Sequence, residues 1–162
     1  MILPMILGLT LNQVSIQDIA ENIRSLNPSI SDKRATHLSK IINRESKRYD
    51  IDPNIITAIL KQESNFKPAQ KVCYIVHRQH ACFVTCDFGV GQINQIWLNK
   101  WGLSEEEVVK NEDLNIHLTA KILSMIRHQF GEEEGFWSRY NTSGPRRAIY
   151  EASVQTYLAE IE

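Results

Sequence analysis

The chain has 162 residues, 43% hydrophobic and 23% charged, a composition that fits one soluble domain long enough to bury a full core. Its formal net charge is −1, with Lys and Arg scattered among acids, so no basic stripe is available to gather nucleic acid or anionic lipid. These values argue against a polyanionic ligand.

The start is apolar from Ile2 to Leu11, but no cation precedes it and no small-x-small cleavage site follows. It is also much shorter than the roughly twenty residues a membrane span requires. The expectation is an N-terminal segment packed on the domain. Ser15 then offers an N-cap to "IQDIAENIRSL", which stops at Asn27-Pro28. In "SISDKRATHLSKIINRESKRYD", Leu38, Ile41, Ile42 and Tyr49 fall near one stripe with charges opposite, which predicts a surface helix. After "IDPN", the segment "NIITAILKQES" carries Ile55, Ile56, Ile59 and Leu60 at helical spacing. Glu63 lies one turn beyond Ile59 and Leu60, on or beside the buried face.

The runs "KVCYIV" and "CFVTC" bracket "HRQH" and predict a short hairpin. Helix returns with "GVGQINQIWLNKW" closed by Gly102, a short helix capped by Ser104, and a long one from about Asp113 to Phe130 closed by Gly131. "GFWSRYN" follows, and a last helix starts near Pro145. No repeat or low-complexity linker interrupts the chain. The fold class is mainly α, with one small β-hairpin.

Four pieces stand in order: Glu63-Ser64 with Phe66 and Pro68, Gly89-Val90-Gly91-Gln92, Arg139-Tyr140-Asn141-Thr142-Ser143, and Tyr150 with Val154. Together they resemble the lytic transglycosylase family, whose fold is similar to goose-type lysozyme, and the resemblance runs from about Asp52 to Val154. The family pattern is Glu-Ser followed by Phe and Pro, then Gly-Leu-Met-Gln, Ala-Tyr-Asn-Ala-Gly, and a Tyr near a Val in the last helix. The resemblance implies a lysozyme-like catalytic core over residues 51–162, with residues 1–50 as a helical segment packed on the same domain. Gly91 stands where the family has Met, which removes bulk from a loop lining the sugar groove and implies altered specificity or processivity. Ser143 stands where the third motif has Gly, with Gly144 next, which implies a one-residue shift in that turn.

Cleaving a glycosidic bond needs an acid still protonated near neutral pH, and burial supplies one by disfavouring the carboxylate anion. A helix C-terminus pushes in the same direction. Glu63 meets both conditions. Ordinary glycosidases add a second carboxylate as nucleophile or base. Goose-type lysozymes have an Asp two residues after the motif's Gln, and this chain has Asn94 there, which leaves Asp87 as the second-carboxylate candidate. Without such a partner the substrate's own N-acetyl oxygen attacks the anomeric carbon, and Glu63 then acts as base while the sugar's 6-hydroxyl closes a 1,6-anhydro ring. By the resemblance, Gln92, Asn94 and Asn141 bind substrate, Tyr140 and Tyr150 orient Glu63 or the acetamide, and Ser64 is the neighbour that supports Glu63.

Against this, an isolated Glu at a helix end is usually a solvated surface residue, and Trp97, Trp101, Trp137 and both tyrosines usually serve packing. The bland account then needs several coincidences in order. Cys73, His77, His80, Cys82 and Cys86 include enough N and S ligands for zinc, but match no standard zinc-site spacing. With the turn at Arg78-Gln79, Cys73 faces Val84 and lies diagonal to both Cys82 and Cys86, so a staple is expected as Cys73–Cys86 or Cys73–Cys82. A staple requires an oxidising place such as the periplasm or a virion surface.

The expected function is a peptidoglycan lytic transglycosylase that cuts the MurNAc-GlcNAc β-1,4 bond with no metal and no cofactor. It would act on glycan strands at the cell wall or periplasm, as a virion-associated or exported enzyme for a phage or a secretion or conjugation complex. No nucleic acid or membrane span is expected. The alternatives are a hydrolytic muramidase using Asp87, a catalytically silent peptidoglycan-binding assembly module, and, more remotely, a small zinc-binding module.

Overall fold

The structure is a computed structural model that describes residues 14–78, 81–131, 135–141 and 146–161. The apolar stretch Ile2–Leu11, the hairpin tip with His80, the Thr142–Gly144 turn and the Pro145 helix start lie outside the described residues. Among the described residues there are seven α-helices, one 3-10 helix and a three-stranded antiparallel sheet. No described helix is long and apolar enough to cross a membrane.

Helix α1 (Ile16–Leu26) begins at a reciprocal cap: Ser15 Oγ accepts from the Asp18 N–H and the Asp18 carboxylate accepts from the Ser15 N–H. Its apolar stripe, Ile19, Ala20, Ile23 and Leu26, is buried. Helix α2 (Asp32–Tyr49) starts at Ser31 and buries Ala35, Leu38, Ile41 and Ile42. Helix α3 (Pro53–Ser64) has Asp52 as cap and Pro53 in its first turn, where a missing N–H costs nothing. Ile56, Ile59 and Leu60 are fully buried against α1 and α2.

The sheet comprises β1 (Lys71–Arg78), β2 (Ala81–Phe88) and β3 (Ile93–Asn94), in the order β1-β2-β3. Its register differs from the sequence expectation. Cys73 faces Cys86, and Arg78 pairs with Ala81, so Arg78 belongs to β1 and not to the turn. The shift brings Cys73 directly opposite Cys86, and their sulfurs are bonded.

A second correction concerns "GVGQINQIWLNKW". Its first residues form a turn and β3, and helix α4 (Gln95–Trp101) begins only after Asn94, whose side chain caps it. Helices α5 (Glu105–Lys110) and α6 (Glu112–Phe130) follow, then the 3-10 helix (Phe136–Arg139) and α7 (Arg146–Ile161). One buried cluster joins α1, α2, α3 and α7 to one side of α6, and a second joins α4, α5 and the sheet end to other α6 residues. Helix α6 thus contributes to both, and Tyr140 packs against both.

Candidate active site

Glu63 lies in the last turn of α3. That helix stops there because Asn65 and Phe66 both take left-handed backbone, with φ of 53° and 62°. A left-handed phenylalanine is strained, and the surroundings hold it. Phe66 is buried, and its carbonyl accepts two bonds from the Arg34 guanidinium (3.1 and 2.6 Å), which also reaches Glu112 at 2.7 Å. The helix end that carries Glu63 is therefore fixed from α2 and α6.

Three segments distant in sequence converge on Glu63 or its neighbour. The Tyr150 hydroxyl, from α7, donates to Glu63 Oε1 at 2.6 Å. The Asn141 amide, after the 3-10 helix, lies 3.1 and 3.0 Å from the two carboxylate oxygens and donates to them. Ser64 Oγ donates to the Val90 carbonyl at 2.7 Å, tying α3 to the Gly89–Gln92 turn. Ser64 therefore anchors the turn and makes no bond to Glu63, contrary to expectation.

Burial dominates Glu63's acidity, raising the carboxyl from 4.5 to about 7. The bonds from Tyr150 and Asn141 pull it back, and the nearby Asp87 charge pushes it up again. Burial and the Glu63 charge drive the Tyr150 phenol far above its ordinary range, so it stays a donor. Glu63 is only partly covered, and its partners Asn141 and Tyr150 line the adjoining cleft. A proton-bearing carboxyl with two fixed donors and an open side can give a proton to a ligand and take one back.

The Gly89–Gln92 turn is gripped by α6. Asn115, almost fully buried, accepts from the Gly91 N–H at 2.7 Å and donates to the Phe88 carbonyl at 2.8 Å. A Cβ at Gly91 would lie 2.0 Å from Thr119 Oγ1, so helix α6 fills the place where a side chain would go. The expectation that Gly91 widens the sugar groove is therefore corrected: the missing side chain makes room for Thr119. Tyr140 completes the grip, donating to the Gly91 carbonyl at 2.8 Å, with Thr119 Oγ1 3.2 Å away. Tyr140 touches the turn and not Glu63.

Gln92 has left-handed backbone, and its amide donates to the Gly89 carbonyl at 2.7 Å. Asn94 accepts from the Ile96 N–H at 3.0 Å as a helix cap and donates to Asp87 Oδ1 at 2.6 Å. The Asp87 carboxyl, half-buried at the end of β2, also hydrogen-bonds Tyr74. Burial pushes Asp87 up, and the bonds from Asn94 and Tyr74 pull it down.

Two cavities of about 270 and 430 Å³ meet here, and both are lined by Tyr74, Asp87 and Asn141. Trp97 and Gln92 line the first; Gln62, Arg146 and Tyr150 line the second. A larger hollow of about 700 Å³, lined by His37, Val90, Lys110 and Glu112, lacks such chemistry. Its Glu112 is already paired with Arg34 and His37.

The Cys73–Cys86 disulfide removes two of the five candidate zinc ligands, because a disulfide sulfur has no thiolate to offer. Cys82 is a free, exposed thiol 3.0 Å from His77 Nδ1. Among the described residues no group of three or more His, Cys, Asp or Glu could hold a metal. Trp137 is core, while Trp97 stacks on Trp101 at 4.9 Å. Tyr74, Asn115 and Thr119 were missed by sequence reasoning. Tyr74 is an aromatic two residues from Val72, which pairs with Asp87, and so shares that face. Asn115 and Thr119 are polar residues in an apolar helical stripe, one turn apart.

Comparison with known proteins agrees with this geometry. The family described as the transglycosylase SLT domain matches residues 40–158. The chain is also similar to a membrane-bound lytic murein transglycosylase C of Edwardsiella ictaluri (strain 93-146), 27% identical over 111 residues. That match covers 64% of this chain and 28% of the relative, so the chain corresponds to under a third of that protein's length. The match over residues 40–158 takes in Glu63, the Gly89–Gln92 turn, Tyr140-Asn141 and Tyr150, and the chain belongs to the transglycosylase SLT-domain family, with its lysozyme-like, mainly helical fold.

Proposed function

We propose that the protein is a peptidoglycan lytic transglycosylase that cuts the β-1,4 bond between MurNAc and GlcNAc and leaves 1,6-anhydro-muramyl ends. The observation that carries this reading is Glu63: a partly covered carboxyl raised to about 7, held by Tyr150 and Asn141, which line the cleft. In the first step Glu63 donates its proton to the leaving glycosidic oxygen while the substrate's acetamide oxygen attacks C1. In the second, the Glu63 carboxylate takes the proton of the 6-hydroxyl as that oxygen displaces the acetamide at C1. A pKa near 7 suits both directions of proton transfer at neutral pH. Tyr150 and Asn141 keep the carboxyl aimed through both steps.

A hydrolytic muramidase is the second reading, favoured by Asp87, a half-buried carboxylate close enough to raise Glu63. Mass spectrometry of muropeptides released from purified peptidoglycan separates the two. Anhydro ends, lighter by one water than hydrolysed ends, are expected; hydrated reducing ends would replace this reading with the lysozyme one. Release of nothing, with glycan binding retained, would favour a silent binding module. The disulfide supports work outside a reducing cytosol, in keeping with a site at the wall. A role in local wall opening for a phage particle or a secretion or conjugation machine rests on the family resemblance alone.

Glu63→Gln keeps size and hydrogen bonding but has no transferable proton. Its turnover is expected to fall at least about 10²-fold, the usual contribution of an acid-base group. Retention of near wild-type release by this variant would overturn the assignment.

A further inference from the structure

A substrate-assisted reaction needs a partner for the acetamide itself. When its oxygen attacks C1, the nitrogen becomes part of an oxazolinium ring and carries positive charge, so its N–H needs an acceptor, best an anion. The cleft side chains first expected to serve offer only neutral oxygens, and their donors are already fixed. Asn94's oxygen caps α4 and its nitrogen bonds Asp87. Gln92's amide nitrogen is held by the Gly89 carbonyl, and Tyr140's hydroxyl by the Gly91 carbonyl. Asn141 and Tyr150 donate to Glu63.

Asp87 is different. Among the described residues it is the one carboxylate that lines both cavities, beside Tyr74 and Asn141. Each carboxylate oxygen accepts more than one bond, so the contacts from Asn94 and Tyr74 orient the group without saturating it. Those two donors come from β3 and β1, on either side of β2, and fix the carboxylate against rotation.

Resting on the transglycosylase reading above, we infer that Asp87 is a catalytic residue that accepts the acetamide N–H of the sugar at the scissile bond, turns its oxygen onto C1 and stabilises the oxazolinium cation. The electron count closes without a further reagent. The acetamide oxygen forms a bond to C1 as the glycosidic C–O bond breaks, and the leaving oxygen takes the Glu63 proton. The 6-hydroxyl oxygen then bonds C1, the acetamide C1–O bond breaks, and the hydroxyl proton returns to Glu63. Asp87 stays an anion throughout, and its N–H partner stays on the substrate nitrogen.

Such an anion is most effective in a half-buried site, where screening by water is weak. The other ionisable or charged groups lining this cleft are Tyr74, Tyr140, Tyr150 and Arg146, and Glu63 lies behind Tyr150 and Asn141, which bond it. Glu63 and Asp87 are the carboxylates among them, and each has been raised by burial.

The test compares wild type with Asp87→Asn on purified peptidoglycan, recording kcat, KM, product ends and the pH profile. Expected is a fall of about 10²-fold in kcat, with KM little changed and the residual product still anhydro. Loss of the Asp87 charge also lets Glu63 ionise more readily, so the basic limb moves to lower pH whatever Asp87 does in the reaction; the split between kcat and KM at the pH optimum of each protein carries the test. A variant with wild-type kcat overturns the inference. Hydrated ends from wild type that disappear in the variant overturn it as well, making Asp87 the base for water. A wild type that releases nothing overturns the transglycosylase reading together with this one.

Should Asp87→Asn fail to fold, a bicyclic thiazoline analogue of MurNAc, which mimics the oxazolinium ring, tests the wild type directly. Its ring nitrogen carries no hydrogen when neutral, so the complex needs one proton held between that nitrogen and Asp87, and inhibition is expected to weaken at least about 10-fold as pH rises and that proton is lost, because one charge-assisted hydrogen bond goes with it. Inhibition unchanged across that range would overturn the inference.

Discussion

At the scale of single residues, Glu63 sets function against stability. Its carboxyl is raised to about 7 in the fold and has an ordinary value near 4.5 when unfolded, so the folded state binds the proton more tightly. The stabilisation is fully present below about 4.5 and is lost as pH rises through about 7. A shift of that size corresponds to at most about 3 kcal/mol. Glu63→Gln is therefore expected to be at least as stable as wild type at pH 8 and to flatten the pH dependence of the urea midpoint between these values. A variant less stable than wild type at pH 8 would contradict the burial account. Tyr150→Phe removes a donor that favours the anion, so the basic limb of activity should move to higher pH while the fold persists. Glu63 stood out in the sequence because it opens a run with Ser64, Phe66 and Pro68 that resembles the family pattern; its place at a helix end alone would have read as a solvated surface residue. Its partners Asn141 and Tyr150 were legible only as motif members, since nothing in their neighbours points at a carboxylate 78 and 87 positions away.

At the scale of elements, the Gly89–Gln92 turn and α6 form one mechanical unit. Gly91→Ala puts a methyl 2.0 Å from Thr119 Oγ1, and a cost of about 1–3 kcal/mol is expected from overpacking. Adding Thr119→Ala should return part of it, a coupling that a double-mutant cycle measures. Purely additive costs would show that the two residues do not meet. The hairpin is the other unit. Its disulfide closes a loop with a sequence separation of 13, and Cys73→Ser with Cys86→Ser is expected to cost up to about 3 kcal/mol in thermal melts without reductant. Strand composition marked the hairpin plainly, whereas its register did not follow, because a loop shifted by one residue is equally compatible with alternating side chains. The start of α4 was misplaced for a related reason: Gly-x-Gly-Gln looks like the opening of a helix until tertiary contacts with Asn115 pull it into a turn.

At the scale of the whole molecule, α2 and α6 are joined by a buried charge as well as by packing. The Glu45 side chain is 1% exposed and lies 2.6 Å from the Arg44 guanidinium and 2.9 Å from His117 Nδ1. Glu45→Ala would leave His117 without its carboxylate, while Arg44 keeps Asp113 at 2.8 Å, and is expected to cost about 1–3 kcal/mol in chemical denaturation. A cost under about 1 kcal/mol would mean the pair is solvated. This network lies on the α2–α6 face and supports the helix that grips the Gly89–Gln92 turn, so its loss should lower stability before it changes product chemistry.

The sequence alone determined the helical class, the caps that start α1 and α5, the apolar stripes that form the core, and the carboxylate at the end of α3. Those features are local: a cap or an amphipathic stripe depends on residues within a turn or two. Tertiary structure alone decided the hairpin register, the short third strand, the engagement of Gln92 and Asn94 in internal bonds, and the meeting of Tyr74 with Asp87 on one face of the hairpin. Each of these depends on which surfaces touch once the chain has closed on itself. Closure brings together groups dozens of residues apart, and local propensity carries no record of such pairs.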